Sequence, residues 1–495
     1  MGYGLGVVDL AVIVAVMLGV TWMGHRLSGA VQSRTAFFMA DGSLPWWAVS
    51  ASIIATLVSA VTFVSVPANV FSPDGDLKYF QVILGLALGK VAVGLLLARP
   101  FYESQQPRTS YEYIGARLDP MTGELSMFLG LVLTVINSGV KLLTASLVLD
   151  VITGWGIPSC AAFVVFISVI WSALAGIKTV IWTDFLLFVL FALGAVFAVV
   201  FIGFSVEISI AEAVRYLDDQ AKLVLVDLSL DPEKRYTLWA AVIGGIALNI
   251  ATGSMQGTWQ RVKACRSVGD AEKAYHFAAL FYVMHLVILA IGLGLFMFYA
   301  EQPLPAEAAA AVSEAPDRIF PYFIITEIPV GISGLFIAAI FAAAISTLDS
   351  ALAEASDLAI THGYARVRKH APERHYVTAS RWAMVFWGGV FFFAAVFFSR
   401  FQGEGLLDLT FKLPNYVYGP MLGAIVLARI GIGKLPTVLV GFVVAIGMTL
   451  WLSDLGIAFF WWCPTAGLTM ILVVVAMERA RSDSVRPEWT GVVQP

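Results

Sequence analysis

The chain places several oxygen-bearing side chains on one stretch of helix-forming sequence at 331–366. They are Ser346, Thr347, Asp349 and Ser350. In a helix Ser346 and Ser350 lie one turn apart, and Ala343 lies one turn before Thr347. One face therefore presents three hydroxyls, a carboxylate and the backbone carbonyl of a small residue. Hard oxygen donors suit a hard cation such as sodium, which needs several oxygens to replace its hydration shell.

A second interpretation of this face is helix packing, in which small residues allow close approach and Ser and Thr bridge neighbouring helices. Packing accounts for Ala343 and Ser350. It leaves Asp349 unpaired at a depth where a charge costs about 2.5–3.5 kcal/mol on insertion scales. Further along the same helix line lie Glu354, Asp357 and Thr361, so we expect the polar face to continue as an inward path for the ion.

Composition places these residues in a membrane protein. Of 495 residues, 59% are hydrophobic and 13% are charged, which excludes an ordinary soluble globule. A crossing needs about 20 apolar residues in a helix, and roughly thirteen stretches satisfy that requirement. We predict spans near 6–24, 45–70, 79–99, 124–152, 157–176, 179–204, 237–256, 273–299, 329–364, 377–399, 405–428, 434–453 and 456–477.

Basic residues predict the orientation. No basic residue precedes the first span, whereas Arg26 follows it, so this span is not a cleavable signal. Further clusters lie at 261–273 and 366–381, in loops on the same predicted side. The positive-inside bias favours an external N-terminus and a cytoplasmic C-terminus. No phosphate-binding loop occurs, and the three cysteines show no metal-ligand spacing.

Two spans carry residues that interrupt helices. The second contains six Ser or Thr residues before Pro67, and the seventh contains Gly244, Gly245, Asn249 and Gly253. The hydroxyls of the second span could simply bond back to their own helix. Interrupted helices at equivalent places in two five-span units are also typical of an inverted-repeat transporter with a midplane site.

Five segments carry a family resemblance. They are Ser-Ala-Val-Thr-Phe-Val-Ser-Val-Pro-Ala at 59–68, Thr-Ser-Tyr-Glu-Tyr-Ile-Gly-Ala-Arg-Leu at 109–118, Ile-Trp-Thr-Asp at 181–184, Trp-Gln-Arg at 259–261 and Ala-Ala-Ala-Ile-Ser-Thr-Leu-Asp-Ser-Ala-Leu at 342–352. The chain resembles the solute:sodium symporter family, and its motifs are most similar to those of the sialic acid and monocarboxylate carriers.

The resemblance implies an all-α polytopic membrane protein with the LeuT-type fold, working by alternating access as a single transporter domain. The expected parts are a leading helix at 6–24, a first inverted repeat at 45–204, a second at 237–428, and two C-terminal helices at 434–477.

The resemblance also implies the sodium ligands. One site takes the backbone carbonyls of Ala55, Val58 and Ala343 with the hydroxyls of Ser346 and Thr347. A second site, present in some members, takes Asp184, Ser346, Asp349 and Ser350. Asp184 could instead be an ordinary residue near a helix N-terminus. Most relatives have Ser or Thr in place of Asp349. The carboxylate could tighten sodium binding, carry a proton, or share a proton with Asp184.

For the substrate, the resemblance implies a pocket formed by Ser59, Thr62, Phe63 and Gln81. Sialic acid carriers pair the substrate carboxylate with an arginine, and here Lys141 lies one position away, turned by about 100° on the helix. Lysine is a compact charge without the arginine fork. Lys90 and Lys412 are further cations within spans, for which the sequence assigns no role.

The sequence therefore predicts a sodium-coupled symporter of a small organic anion, such as a carboxylate or an acidic sugar. The alternatives are proton coupling, or a neutral sugar, polyol or amino acid as substrate. No metal motif or nucleophile–base pair indicates an enzyme. The expected partners are the solute, sodium as coupling ion and the lipid bilayer, with no nucleic acid. The expected functional unit is a monomer in the cell (inner) membrane.

Overall fold

A computed structural model describes residues 6–28, 40–57, 60–104, 109–174 and 177–484. Within these ranges the chain is almost entirely helical, apart from an isolated bridge between Leu44 and Cys265. In chain order the helices are α1 Val7–Ser28, α2 Trp46–Leu57, α3 Ala60–Phe71, α4 Tyr79–Val93, α5 Arg99–Glu103, α6 Ser110–Arg117, α7 Pro120–Thr153, α8 Ile157–Leu174, α9 Ile177–Ser205, α10 Ile210–Asp219, α11 Leu238–Gly253, α12 Gln256–Ala264, α13 Val268–Leu280, α14 Met284–Glu301, α15 Ala306–Glu314, α16 Ile319–Thr326, α17 Ile332–Leu358, α18 Ala365–Val367, α19 Glu373–Phe398, α20 Leu406–Ile430, α21 Leu435–Asp454 and α22 Trp462–Ser484.

Among the described residues, eight helical stretches are long and apolar enough to cross a membrane. Two further pairs, α2 with α3 and α11 with α12, are bent by 54° and 72° at a short break. α1 and α8 are shorter apolar helices, and α20 contains Pro414 and Pro420. Each predicted span coincides with one of these elements. The number of crossings, the repeat boundaries and the orientation remain predictions. In the predicted orientation, residues 206–236 lie on the outer side.

The two broken pairs confirm the expected interruption of the second and seventh spans. α11 packs against α4 through glycine, since a Cβ at Gly245 would lie 2.7 Å from the carbonyl carbon of Gly85. Asn249 strengthens this contact by donating its side-chain amide to the Leu86 carbonyl at 3.2 Å. Close backbone approach thus holds the unbroken helix α4 against the first half of a broken one.

The helix that carries the predicted ion ligands, α17, is buried along nearly its whole length and packs against α1, α7, α8, α9 and α19. Its N-terminus begins at Gly331, whose φ of +90° favours glycine. The carboxylate of Asp9 on α1 accepts hydrogen bonds from Gly331 N at 2.7 Å, Ser333 Oγ at 2.7 Å and Gly334 N at 3.0 Å. The leading helix therefore caps the central one and complements its dipole.

Candidate functional site

A partly open cavity of about 220 Å³ lies where the two broken helices meet α4, α7, α17 and α20. This is below the roughly 300–1,000 Å³ usual for drug-sized ligands, so the cavity fits a small solute. Its polar walls come from α7 and α11, which contribute Thr134, Asn137, Ser138, Asn249 and Thr252. The Oδ1 atom of Asn249 is buried without a hydrogen-bond partner among the described residues, so it can accept one from a bound solute.

Three basic side chains line this cavity: Lys90, Lys141 and Arg261. Glu354 contributes a carboxylate to the same wall. Lys141 donates its ammonium group to the Thr56 carbonyl at 3.2 Å. Lys90 is 6% exposed and has no hydrogen-bond or ion-pair partner within the part of the chain that the structure describes. The cavity thus holds an excess of positive charge suited to an anion.

Arg261, on α12, joins the second broken pair to the first. Its Nε donates to Ser52 Oγ at 3.2 Å, and its Nη2 donates to the hydroxyls of Thr56 and Ser350, the latter at 3.2 Å. Its Nη2 also lies 3.7 Å from Asp184 Oδ2. The sequence assigned Arg261 to an inner loop, but the side chain is buried because α12 turns inward after the break at 254–255. The only sequence signal for this role was the Trp-Gln-Arg motif.

Asp184 is fully buried and is the partner of this arginine. Its carboxylate accepts hydrogen bonds from Ser52 Oγ at 2.5 Å and from the hydroxyl of Ser346. Asp184 is the eighth residue of α9, Ile177–Ser205, so it is not in the first turn. The alternative of an ordinary N-terminal residue is therefore wrong, and the carboxylate bridges α2, α9, α12 and α17.

The structure brings together most of the described members of the first predicted sodium set. Thr347 donates its hydroxyl to the Ala343 carbonyl at 2.9 Å, and Ser346 lies on the same helix beside Asp184. Ala55 is buried in the last turn of α2, which packs against α17. Val58 lies outside the described residues. Carbonyl and hydroxyl oxygens in a buried setting fit a sodium ion carried as a co-substrate.

The second predicted set is divided between two neighbourhoods. Ser350 meets Arg261, whereas Asp349 accepts a hydrogen bond from Ser172 of α8 at 2.8 Å. A shared ion for Asp349, Ser350 and Asp184 therefore stays a prediction. The two side chains are separated by what packs around them: Asp349 faces Ser172 on α8, whereas Ser350 faces Arg261 on α12.

Of the predicted substrate residues, Thr62 and Lys141 line the cavity, and Ser59 lies outside the described residues. Phe63 does not line it. Its ring is 1% exposed and packs against Phe191 and Phe320, with centroids 4.3 and 5.0 Å away. This placement corrects the prediction, because an aromatic ring at that helix position buries more apolar area among other rings than in a polar cavity.

Gln81 does not line the cavity either. It is fully buried, its Nε2 donates to the Tyr236 carbonyl at 2.7 Å, and its Oε1 accepts from Asp227 N at 3.1 Å. Both ends of the amide therefore hold the outer loop before α11. The predicted substrate role is replaced by a structural one.

Glu354 and Asp357 hold the start of α12 instead of forming an open path. Glu354 Oε1 accepts from Gln256 N at 3.1 Å, and Asp357 Oδ2 accepts from Gln256 Nε2 at 2.9 Å. Thr361 donates its hydroxyl to the other Asp357 oxygen at 3.1 Å. Glu354 lines the cavity, whereas Asp357 and Thr361 are buried away from its wall, and the inward route stays a prediction. Carboxylates are favoured at this point because α12 begins there.

A sequence profile described as "Sodium:solute symporter family" matches residues 37–430. The chain belongs to the sodium:solute symporter family. This symporter is 27% identical to the sodium/sialic acid symporter SiaT of Proteus mirabilis over 92% of each chain. It is 26% identical to the human sodium/iodide cotransporter over 99% of its own length and 74% of that protein.

Solved structures show the same fold. A Na⁺-coupled sialic acid symporter in a substrate-bound, outward-open state superposes with a TM-score of 0.84 at 24% identity, covering 96% of the symporter and 98% of that chain. The nucleobase-cation transporter Mhp1 superposes with a TM-score of 0.55 at 16% identity, over 92% of the symporter and 96% of Mhp1. The predicted LeuT-type fold is confirmed. Family membership makes the chain a multi-pass transporter that couples sodium to a small solute, and not an enzyme.

Proposed function

We propose that this symporter uses the sodium gradient to take up a small organic anion, held in the central cavity between Lys90 and Lys141. The observation that carries this proposal is the pair of ammonium groups, from the buried Lys90 on α4 and the half-buried Lys141 on α7, in one wall of the cavity. A buried charge must be paired to be retained at low cost, and an anion supplies that partner.

Relatives support an anionic substrate. Their names specify sialic acid, iodide and monocarboxylates, all of which are anions. The cavity also contains neutral hydrogen-bonding groups, Thr134, Ser138 and Asn249, which suit hydroxyl or carbonyl groups on an organic substrate. A small organic acid, with a carboxylate and nearby hydroxyl or carbonyl groups, matches both the basic and the neutral polar groups of the wall.

The sodium site that we propose takes the carbonyls of Ala55 and Ala343 and the hydroxyls of Ser346 and Thr347, with Val58 outside the described residues. Thr347 and Ala343 bond to each other in this structure, so an arriving ion would replace that bond with two ion contacts. Thr347 also lines the cavity. Sodium and anion would therefore bind on adjoining surfaces and partly neutralise each other.

Uptake into proteoliposomes tests this function. We expect an inward sodium gradient to drive accumulation of at least one of sialic acid, a short monocarboxylate or iodide, with loss of accumulation when potassium replaces sodium. A neutral hexose serves as the control substrate. Sodium-driven accumulation of the hexose without any anion would support the alternative of a neutral substrate.

A second ion at Asp349 is a separate candidate. The side chain is 4% exposed, its Oδ1 accepts a hydrogen bond from the Ser172 hydroxyl, and it has no basic ion-pair partner among the described residues. Carboxyl groups inside membrane spans commonly carry protons in transporters. We therefore propose that Asp349 carries a proton rather than a second sodium ion.

The variant Asp349→Asn tests that proposal, because Asn matches the protonated acid in shape and hydrogen bonding. We expect sodium-driven uptake to persist while its dependence on internal pH is lost. Asp349→Ser, which restores the residue type implied by the family resemblance, is the matched control. A large increase in the sodium KM in both variants would contradict the proposal and would return Asp349 to the sodium site.

We also propose that one chain is the functional unit and that it resides in the cell (inner) membrane. The cavity and the proposed ion ligands are all supplied by a single chain. An uptake rate per chain that is unchanged at less than one chain per vesicle would support a single chain as the functional unit. Fractionation of the native membranes tests the location in the cell (inner) membrane.

A further inference from the structure

Lys222 lies outside the membrane-spanning helices, three residues after α10, yet its side chain is only 1% exposed. The ammonium nitrogen faces a ring of backbone carbonyls and one aromatic face. Its oxygen partners are Val70 at 3.1 Å, Ser72 at 2.5 Å, Pro73 at 3.2 Å and Gly75 at 2.9 Å. The ring centroid of Phe296 lies 4.3 Å from the same nitrogen.

This arrangement has the chemistry of a monovalent-cation site. Rings of carbonyl oxygens replace the hydration shell of potassium and similar ions in selective sites. An ammonium group has three donors and no acceptor, so four carbonyls are enough to satisfy it completely. The face of Phe296 adds a cation–π contact on another side.

The carbonyls converge because the chain winds tightly after α3. Ser72 N donates to the Ala68 carbonyl at 3.0 Å, and Gly75 N donates to the Ser72 carbonyl at 2.8 Å. A Cβ at Gly75 would lie 2.7 Å from the Val70 carbonyl oxygen, so this turn requires glycine. Several carbonyl dipoles then point at one another, and a cation between them removes their repulsion.

Charge in the surroundings agrees with a cation held at this point. Removal from water lowers the pKa of the Lys222 ammonium, while the carboxylates of Asp76 and Asp74 act in the opposite direction. Asp76 also pairs with Lys78 at 2.8 Å. The acidic side chains therefore stabilise the charged form without contacting it directly.

We propose that segment 70–75 is a monovalent-cation site that the chain fills with its own ammonium group, Lys222, and that this group fixes the outer end of α3. Lys222 is thus a positioning residue. α3 carries Thr62 in the cavity wall and packs against α14, the helix of Phe296. One side chain consequently joins the outer half of the first broken span to α14 and to the loop after α10.

The variant Lys222→Met empties the site while keeping an apolar stem. In detergent, at fixed sodium and ionic strength, we expect its Tm to fall by several degrees in choline chloride and to recover in a saturable way with ammonium chloride. In proteoliposomes, the KM of Lys222→Met for the transported solute should rise in choline chloride and recover in ammonium chloride, in parallel with its Tm. Wild type and the control Lys234→Met, an exposed lysine of the same loop, should show no difference between ammonium and choline.

Selective recovery by ammonium is the decisive readout, since a lysine that only packs would not be replaced by a free cation. An unchanged Tm in Lys222→Met, or equal effects of ammonium and choline, would overturn the proposal. If Lys222→Met does not fold, Lys222→Arg provides the test. The planar guanidinium keeps the charge but cannot be encircled by four carbonyls. Wild-type stability and KM in Lys222→Arg would also overturn it.

Discussion

Replacement of Arg261 by Met is expected to abolish sodium-driven uptake and to lower the free energy of unfolding by about 3–5 kcal/mol, as when one partner of a buried ion pair is removed. The guanidinium is 5% exposed and lies 3.7 Å from the carboxylate of Asp184, which is fully buried. Ser52 connects the two groups, since it donates to Asp184 and accepts from Arg261 Nε. Without the arginine, the carboxylate is left as an uncompensated charge.

The functional loss has a separate cause from the instability. Arg261 also holds Thr56 and Ser350, so it fixes α12 to both α2 and α17 around the proposed sodium site. Asp184 already accepts a hydrogen bond from the Ser346 hydroxyl, and without Arg261 its full negative charge would hold that hydroxyl more tightly against an arriving ion. Lysine at position 261 cannot replace this function, because a point charge does not reach three hydroxyls and a carboxylate in a fixed fork.

A double variant separates the two effects. Arg261→Met with Asp184→Asn removes both charges and should recover most of the stability, measured as Tm, without recovering uptake. Arg266→Met is the matched control, because that arginine is exposed and donates to the Ser43 carbonyl at 3.0 Å. Recovery of uptake in the double variant would show that the network serves the fold alone.

Removal of either cavity lysine is expected to raise the KM for the anion by about 10–100-fold, since a charge-assisted hydrogen bond contributes about 1.5–3 kcal/mol and 1.4 kcal/mol corresponds to a factor of ten. Lys90→Met and Lys141→Met should leave the sodium KM unchanged. Both lysines lie within electrostatic range of Arg261, so each loss also reduces repulsion among like charges in the empty cavity.

The double variant Lys90→Met with Lys141→Met measures whether the two groups hold the same anion. Substitutions of two groups that bind the same ligand change its binding free energy non-additively, whereas substitutions of independent groups give additive changes. Lys412→Met is the control, because Lys412 lies in α20 but does not line the cavity. Strictly additive changes, or a KM that does not respond to Lys90→Met, would contradict a site formed by both lysines.

Sequence alone determined the class, the helical segments and the placement of three proposed ion ligands on one helix. A long apolar segment in lipid must form a helix, because only hydrogen bonds within the helix can satisfy its backbone there. Helical periodicity likewise places Ala343, Ser346 and Thr347 on one face, whatever packs around them. These predictions needed only local rules, which explains why the structure reproduces the segments and the contact between Ala343 and Thr347.

Tertiary structure decided which face meets which partner. Gln81 and Phe63 lie on helices that line the cavity. A hydrogen bond to the loop before α11 holds the Gln81 amide away from it, and packing in an aromatic cluster holds the Phe63 ring away. Lys90 and Arg261 enter the site because α4 packs on α11 and α12 bends inward. Periodicity gives the direction of a side chain relative to its own helix, but the contacts of a charge depend on the rotation and crossing of other helices. Those quantities are set by packing across the whole bundle.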